Sequence, residues 1–269
     1  MTMAKFGFIG IGNMGGAIAA AVAKVAAPEE ILVAAKHPER AAAFAKTIGC
    51  EAVTNETVAK KAKFVVLGVK PQFMAEVLAQ LQDILAARQD VVLVTMAAGL
   101  TMANIETMAG GRFPVIRIMP NTPAQIGEGV ILYDANARVM EDDLKEFLAA
   151  LAPAGMLDRL PEKLIDAGSA LAGSGPAYVS MFMEALADGA VACGLPRDKA
   201  LQYAAQTLIG TAQLMLQTGK HPGQMKDAVC SPGGSTIVGV GELEKGGMRG
   251  TVMEAVIATY RKNLEFIKK

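Results

Sequence analysis

From Lys5 to about Pro161, short apolar runs alternate with longer segments in which apolar residues recur every three or four positions. KFGFIG, EILVAA, KFVVLGV, DVVLVTM and FPVIRIM read as strands, and the Ala- and Leu-rich segments between them read as helices. Such alternation predicts a parallel sheet with crossover helices. Two weaker strand candidates, GVILY and GMLDRL, flank the helix-like MEDDLKEFLAALA and are expected to extend the sheet at its edge. After Pro161 the strand signal stops. The remainder reads as helices broken by GSGP, GLP, GKHPG, SPGG and GGMRG, with Pro near helix starts and Gly near helix ends.

One helical segment, AYVSMFMEALADGAVACGL, carries only Glu184 and Asp188 as charges and is otherwise apolar nearly all round. A helix of that kind is buried. A region of about a hundred residues has little interior to hide it on every side. A second copy of the chain is therefore expected to cover it, giving a homodimer or a higher homo-oligomer with a mainly helical interface.

Composition narrows the classes. The 269 residues are 52% hydrophobic and 19% charged, with no Trp and 16 Met, which is enough apolar material for a core and too much for disorder. Twenty-six basic residues balance 26 acidic ones, so there is no electrostatic footprint for nucleic acid. The three cysteines, Cys50, Cys193 and Cys230, are far apart and show no CxxC spacing, and with only His37 and His221 present neither a disulfide framework nor a metal site is expected. The uncharged runs Val91 to Ile105 and Ala167 to Met183 are too short or too rich in Gly and Ser to span a bilayer, and glycines with Asn13 break the apolar N-terminal run that would mimic a signal peptide. A soluble, cytoplasmic protein acting on a small molecule is the expectation.

The chemistry begins in FGFIGIGNMGGAIAAAV, where Gly10, Gly12 and Gly15 stand in GxGxxG spacing directly after a strand and opening a helix. In that context the first glycine makes the tight turn and the second lets the backbone approach a pyrophosphate. The third packs helix on strand, and the helix N-terminus holds the anion. The fold class expected is therefore α/β: an N-terminal Rossmann-like dinucleotide-binding domain, residues 1–161, with a C-terminal all-helical substrate and dimerisation domain, residues 162–269. NAD-selective members of this fold place an acid about twenty residues after the glycines to bind the ribose hydroxyls. Here the stretch is LVAAKHPER: no acid stands at Val33 to His37, while Lys36, His37 and Arg40 crowd the place of a 2′-phosphate. Cations and donors suit that phosphate, which favours NADPH over NADH.

A second feature is SPGGST, from Ser231 to Thr236. Backbone N–H groups at Gly233, Gly234 and Ser235, set where a helix begins, would form an anion site without any cationic side chain. Equally, Ser231 and Pro232 would serve to cap a helix in a tight turn. In GSGPAY, Ser174 as N-cap and Pro176 in the first turn are sufficient structural reasons for the motif. In RIMPNTPA, Pro120 and Pro123 fix a rigid loop at a strand's C-terminal end, where Asn121 is either a ligand or a turn residue.

GxGNMG, VKP at Val69 to Pro71, MAAG at Met96 to Gly99, RIMPNTPA at Arg117 to Ala124, GSGPAY at Gly173 to Tyr178, and SPGGST followed by GELE occur in this order. As an ordered set spanning essentially the whole chain, they resemble the pyrroline-5-carboxylate reductases. The resemblance implies reduction of the cyclic imine 1-pyrroline-5-carboxylate to L-proline with NADPH or NADH. It implies cofactor contacts at Ile9, Gly10, Ile11, Gly12, Asn13, Met14 and Gly15, at Lys36 and Asn55, at Gly68, Val69, Lys70 and Pro71, and at Met96, Ala97 and Ala98. It implies substrate binding at Ser231, Gly233, Gly234, Ser235 and Thr236, with the Thr236 hydroxyl in the catalytic role, and it lays the GSGPAY turn against the nicotinamide. Amides suit this substrate's carboxylate, since an Arg would stand beside a ring nitrogen that becomes positive on protonation. The chain departs from the family at Lys36, where a small hydroxyl residue is frequent, and at Gly219, where some members carry an acid bracing the substrate loop. Two other readings stand beside this one. A β-hydroxyacid dehydrogenase would need a helix lysine, and Lys199 lies in the loop-like LPRDKA; a non-catalytic NADP(H) sensor would have no need of SPGGST.

Overall fold

Within the sheet, successive strand residues face opposite sides, and both sides are dry. A computed structural model of the protein describes residues 4–267. The outer ends of the two expected domains, residues 1–3 and 268–269, lie outside the described residues. The chain begins with β1 (Ala4–Ile9), α1 (Asn13–Val22), β2 (Ile31–Ala34), α2 (Pro38–Ile48), the two-residue β3 (Glu51–Ala52), α3 (Asn55–Lys61) and β4 (Ala62–Leu67). Then follow α4 (Pro71–Ala79), α5 (Gln82–Ala86), β5 (Val92–Thr95), α6 (Met102–Met108), β6 (Val115–Met119), β7 (Gly129–Ala135), α7 (Glu141–Leu151) and β8 (Gly155–Arg159). The rest is helical: α8 (Glu162–Ala172), α9 (Gly175–Ala192), α10 (Arg197–Thr218), α11 (Pro222–Val229), α12 (Ser235–Lys245) and α13 (Met248–Ile267).

The eight strands run in the order β3-β2-β1-β4-β5-β6-β7-β8. β1 to β6 are parallel, β7 is antiparallel to β6, and β8 is parallel to β7. The expected edge strands are thus present, whereas β3 was too short to leave a periodic signal. On one face Val65, Leu67 and Leu93 pack with Val58, Met74, Leu78 and Ile105 of the helices. On the other face Phe6, Phe8, Phe64 and Val66 pack with Ile18, Val22, Phe147 and Leu151. Both faces being covered is what near-continuous apolar strands require. The strand order reverses beside β1, so the crevice at its carboxyl end is where such a sheet places a ligand.

By packing, the chain divides into one unit of residues 1–174 with 259–269, and another of residues 175–258. In this division α8 packs with the first unit. Its Ile165 is fully buried with Met119 and Leu132 of the sheet, and its Asp166 pairs with Arg117 of β6 at 2.8 Å. Near the end of α13, Asn263 Nδ2 donates to the Asp166 carbonyl at 3.2 Å.

In the second unit α9 and α10 meet at Ala187, Ala200 and Ala204, which are small enough for close helix approach and are this unit's buried hydrophobic residues. Val179, Met181 and Leu186 of α9 remain exposed, as do Ile209, Leu214 and Leu216 of α10. The apolar helix expected to be buried on all sides is thus left largely uncovered by its own chain.

Candidate active site

The turn after β1 is built by backbone contact. Gly10 has φ +95°, a conformation that residues with a Cβ rarely adopt, and its N–H donates to the Ala34 carbonyl at 2.9 Å. A Cβ at Gly15 would lie 2.0 Å from the Gly10 carbonyl oxygen, and one at Gly68 would lie 2.1 Å from the same atom. Gly10, Gly15 and Gly68 therefore lock the ends of β1 and β4 to the start of α1. Gly12 is different: a Cβ there would meet nothing within 4 Å. The space over Gly12 is open, and helix α1 starts there without a side-chain cap. The first N–H groups of α1 are thus available to an anion.

This turn floors a cleft of about 1050 Å³. Of the expected cofactor residues, Ile9, Gly10, Ile11, Gly12, Asn13, Lys36, Asn55, Val69 and Lys70 line it. Gly15 and Gly68 are packing glycines beneath it, and Met14 and Pro71 stand in the first turns of α1 and α4, off the lining. Met96, Ala97 and Ala98 follow β5, one strand further along the sheet. Ala97 is buried there, while Met96 and Ala98 pack against core side chains rather than line the cleft. Lys36, His37 and Arg40 stand together at the β2 side of the cleft, and no acid lines that side. The sequence reading missed Phe44 from α2, Phe73 and Glu76 from α4, and Gln80 just past its end, which complete the walls. Cleft and donors fit a dinucleotide: amides at the start of α1 for the pyrophosphate, and on the β2 side, where an adenosine ribose would lie, cations with no lining carboxylate.

In the second unit, SPGGST is a turn leading into α12. Gly233 has φ +69°, and Gly234 N–H donates to the Ser231 carbonyl at 3.0 Å. Pro at the second position and a left-handed Gly at the third are the pattern of a type II turn. The Gly234 amide is therefore engaged within the turn, which corrects the expectation that it is bare. The open amides lie one step on, at Ser235 and Thr236 in the first turn of α12, whose start carries no side-chain cap. Ser231, Gly233, Ser235 and Thr236 are all exposed.

Two other expectations resolve here. Asn121 is a structural residue: its Nδ2 donates to the Ala172 carbonyl at 3.0 Å and its Oδ1 accepts from Val130 N–H at 2.9 Å, so both ends of the amide are engaged. Lys199 lies in the first turn of α10, not in a loop, and is exposed. Burial pushes the Cys50 thiol above its ordinary pKa, the opposite of what a nucleophile needs.

Within the first unit, Arg117 is 1% exposed, pairs with Asp166, and stands 3.6 Å from Glu162 Oε1. Glu162 in turn accepts the Met102 N–H at 2.6 Å, so this cluster ties β6, α6 and α8 together.

A doubly wound sheet with an anion-ready cleft at its switch point, its β2 side lined by cations and no acid, defines the class: an NADP-type oxidoreductase with an appended helical region. Residues 5–99 match the family model described as NADP oxidoreductase, coenzyme F420-dependent, and residues 162–266 match that described as pyrroline-5-carboxylate reductase dimerisation. The chain is 43% identical over 263 residues to the pyrroline-5-carboxylate reductase of Pisum sativum, covering 96% of this chain and 94% of that one. With the Escherichia coli enzyme of the same name the identity is 38%, covering 98% of each chain. The crystal structure of the Plasmodium falciparum pyrroline carboxylate reductase with NADP bound superposes with a TM-score of 0.90 at 31% identity, covering 99% of each chain. The chain belongs to the pyrroline-5-carboxylate reductase family.

Proposed function

We propose that this chain reduces 1-pyrroline-5-carboxylate to L-proline, the last step of proline biosynthesis, using NADPH in preference to NADH. The bound nicotinamide supplies the hydride. The chain supplies position and electrostatics. Amides at the start of α1, over Gly12, hold the pyrophosphate, with Ile9, Ile11, Asn13 and Met14 around it; Lys36, aided by Arg40, holds the 2′-phosphate; and Asn55 and the Val69–Pro71 turn hold the ribose. The open amides at Ser235 and Thr236 hold the substrate carboxylate, with Ser231, Gly233 and Gly234 shaping the turn. The Thr236 hydroxyl orients the ring nitrogen. No side chain of SPGGST titrates near neutrality, so the substrate enters as, or readily becomes, its iminium form. The nicotinamide end of the cofactor is assigned to the Met96–Ala98 turn, next along the sheet from the cleft.

The observation that carries this reading is the uncapped start of α12 behind the SPGGST turn: it offers anion-binding amides with no cationic side chain, which suits a carboxylate beside a developing cation. A homodimer in the cytoplasm completes the proposal. The exposed apolar residues of α9 and α10 support the first. Among the described residues no helix is long and apolar enough to cross a membrane. Purified protein incubated with pyrroline-5-carboxylate and either reduced nucleotide should consume NADPH faster than NADH, followed as loss of nicotinamide absorbance. A chain that oxidises neither nucleotide in the presence of the imine is not this enzyme.

A further inference from the structure

Phe73 stands apart from its neighbours on α4. Met74 and Leu78 are fully buried in the core, whereas the Phe73 ring is 45% exposed on the cleft wall. Lys36 Nζ lies over that ring, 5.7 Å from its centroid. Lys36 follows β2 and Phe73 opens the helix after β4, and in the sheet these strands flank β1 on either side. The pair therefore spans the cleft above the glycine turn. Cations gather at one end of that span: Lys36, His37 and Arg40 stand on the β2 side, whereas the α4 side carries one charge of each sign, Lys70 at the start of the helix and Glu76 one turn beyond Phe73. A phosphate is drawn to the cationic β2 side, and a neutral aromatic ring is left facing Phe73.

We propose that Phe73 is the platform on which the adenine ring of the cofactor stacks, and that Lys36 leaves the phenyl ring for the 2′-phosphate when adenine arrives. This rests on the reading of the cleft as an NADP(H) site. An exposed cation–π contact is weaker than a charge-assisted hydrogen bond to phosphate, so the exchange runs toward the bound state. Stacking is indifferent to the 2′ position, so Phe73 sets affinity for adenine nucleotides in general and Lys36 sets the preference among them.

The chain contains no Trp, which makes the test direct. Phe73→Trp introduces a single indole at the platform, and its emission should be quenched on titration with 2′,5′-ADP, a probe that carries the adenosine end and no nicotinamide. By calorimetry, Phe73→Leu should weaken 2′,5′-ADP and 5′-AMP by a common factor of about five- to a hundredfold, and Lys36→Met should weaken 2′,5′-ADP selectively. An unchanged melting temperature in Phe73→Leu, as the exposed ring predicts, shows that the loss is one of stacking. Absence of quenching at saturating nucleotide, or Phe73→Leu affinities within about twofold of wild type for both probes, would overturn the proposal. Imine reduction measured in parallel separates the two readings: normal nucleotide binding by Phe73→Leu beside an active wild type overturns the platform alone. A wild type that binds 2′,5′-ADP through Phe73 yet reduces no imine upholds the platform and overturns the function.

Discussion

Gly12 and Gly15 belong to one motif but have opposite reasons for being glycine, and alanine at each should separate folding from binding. Gly12 has φ −66° and ψ −167°, which alanine adopts freely, and a Cβ there meets nothing within 4 Å. Replacing glycine by alanine at a helix N-cap costs on the order of 1 kcal/mol, offset by about 0.4–1 kcal/mol from the lower entropy of the unfolded chain. Gly12→Ala should therefore melt within about 2–4 °C of wild type. The added methyl instead stands in the open space through which a pyrophosphate reaches the α1 amides. Loss of one such charge-assisted bond costs about 1.5–3 kcal/mol, so NADPH affinity should fall by about ten- to a hundredfold or more. At Gly15 the added Cβ would lie 2.0 Å from the Gly10 carbonyl oxygen, a backbone atom that cannot step aside. Overpacking of that severity costs about 3 kcal/mol or more, and Gly15→Ala should melt at least about 6–12 °C lower. Thermal melts and NADPH fluorescence titrations on both variants decide it. Wild-type NADPH affinity in Gly12→Ala, or a melting curve that follows Gly15→Ala, would refute the division of roles.

Thr236→Val keeps shape and removes a hydroxyl, so kcat/KM for the imine should fall by roughly ten- to a hundredfold with NADPH affinity unchanged; a parallel loss of cofactor binding would make the residue structural. Arg117→Met leaves the buried Asp166 carboxylate without its cation and should cost about 3–5 kcal/mol in thermal unfolding, while adding Asp166→Leu should recover much of it; equal stability of the two variants would show that the pair is not coupled. The Lys5 side chain, bonded to Glu30 at 3.0 Å, holds the Glu30 carboxyl below its ordinary pKa, aided by the Ala27 N–H. That contribution is present above the unfolded glutamate value and is lost as pH falls through the lowered folded value. Glu30→Gln should thus melt slightly below wild type at neutral pH and converge with it on acidification; a gap that widens in acid contradicts the sign.

The fold was legible wherever burial imposes a period. β1, β2, β4, β5 and β6 each show as apolar runs because both faces of the sheet are covered, and GxGxxG carried weight because a strand preceded it and a helix followed. β3 left no signal in its two residues. The cleft was legible only along its floor: Phe73, Glu76 and Gln80 come to it because β4 lies beside β1, a pairing that local sequence does not encode. The engagement of the Gly234 amide depends on the turn inside SPGGST, for which Pro–Gly at its centre is the sequence sign. Asn121 needed coordinates, since turn residues and ligands draw on the same amide chemistry. The packing of α8 was not legible, because its helical pattern matches that of the following helices while its buried face belongs to the sheet.

The central claim is hydride transfer to an imine carbon, and the most direct measurement follows the hydride itself. NADPH deuterated at the transferring position of the nicotinamide, incubated with pyrroline-5-carboxylate and this protein, should give proline carrying one deuterium at the former imine carbon, in step with nucleotide oxidised. Nucleotide oxidation without labelled proline, or no oxidation at all, would contradict the account.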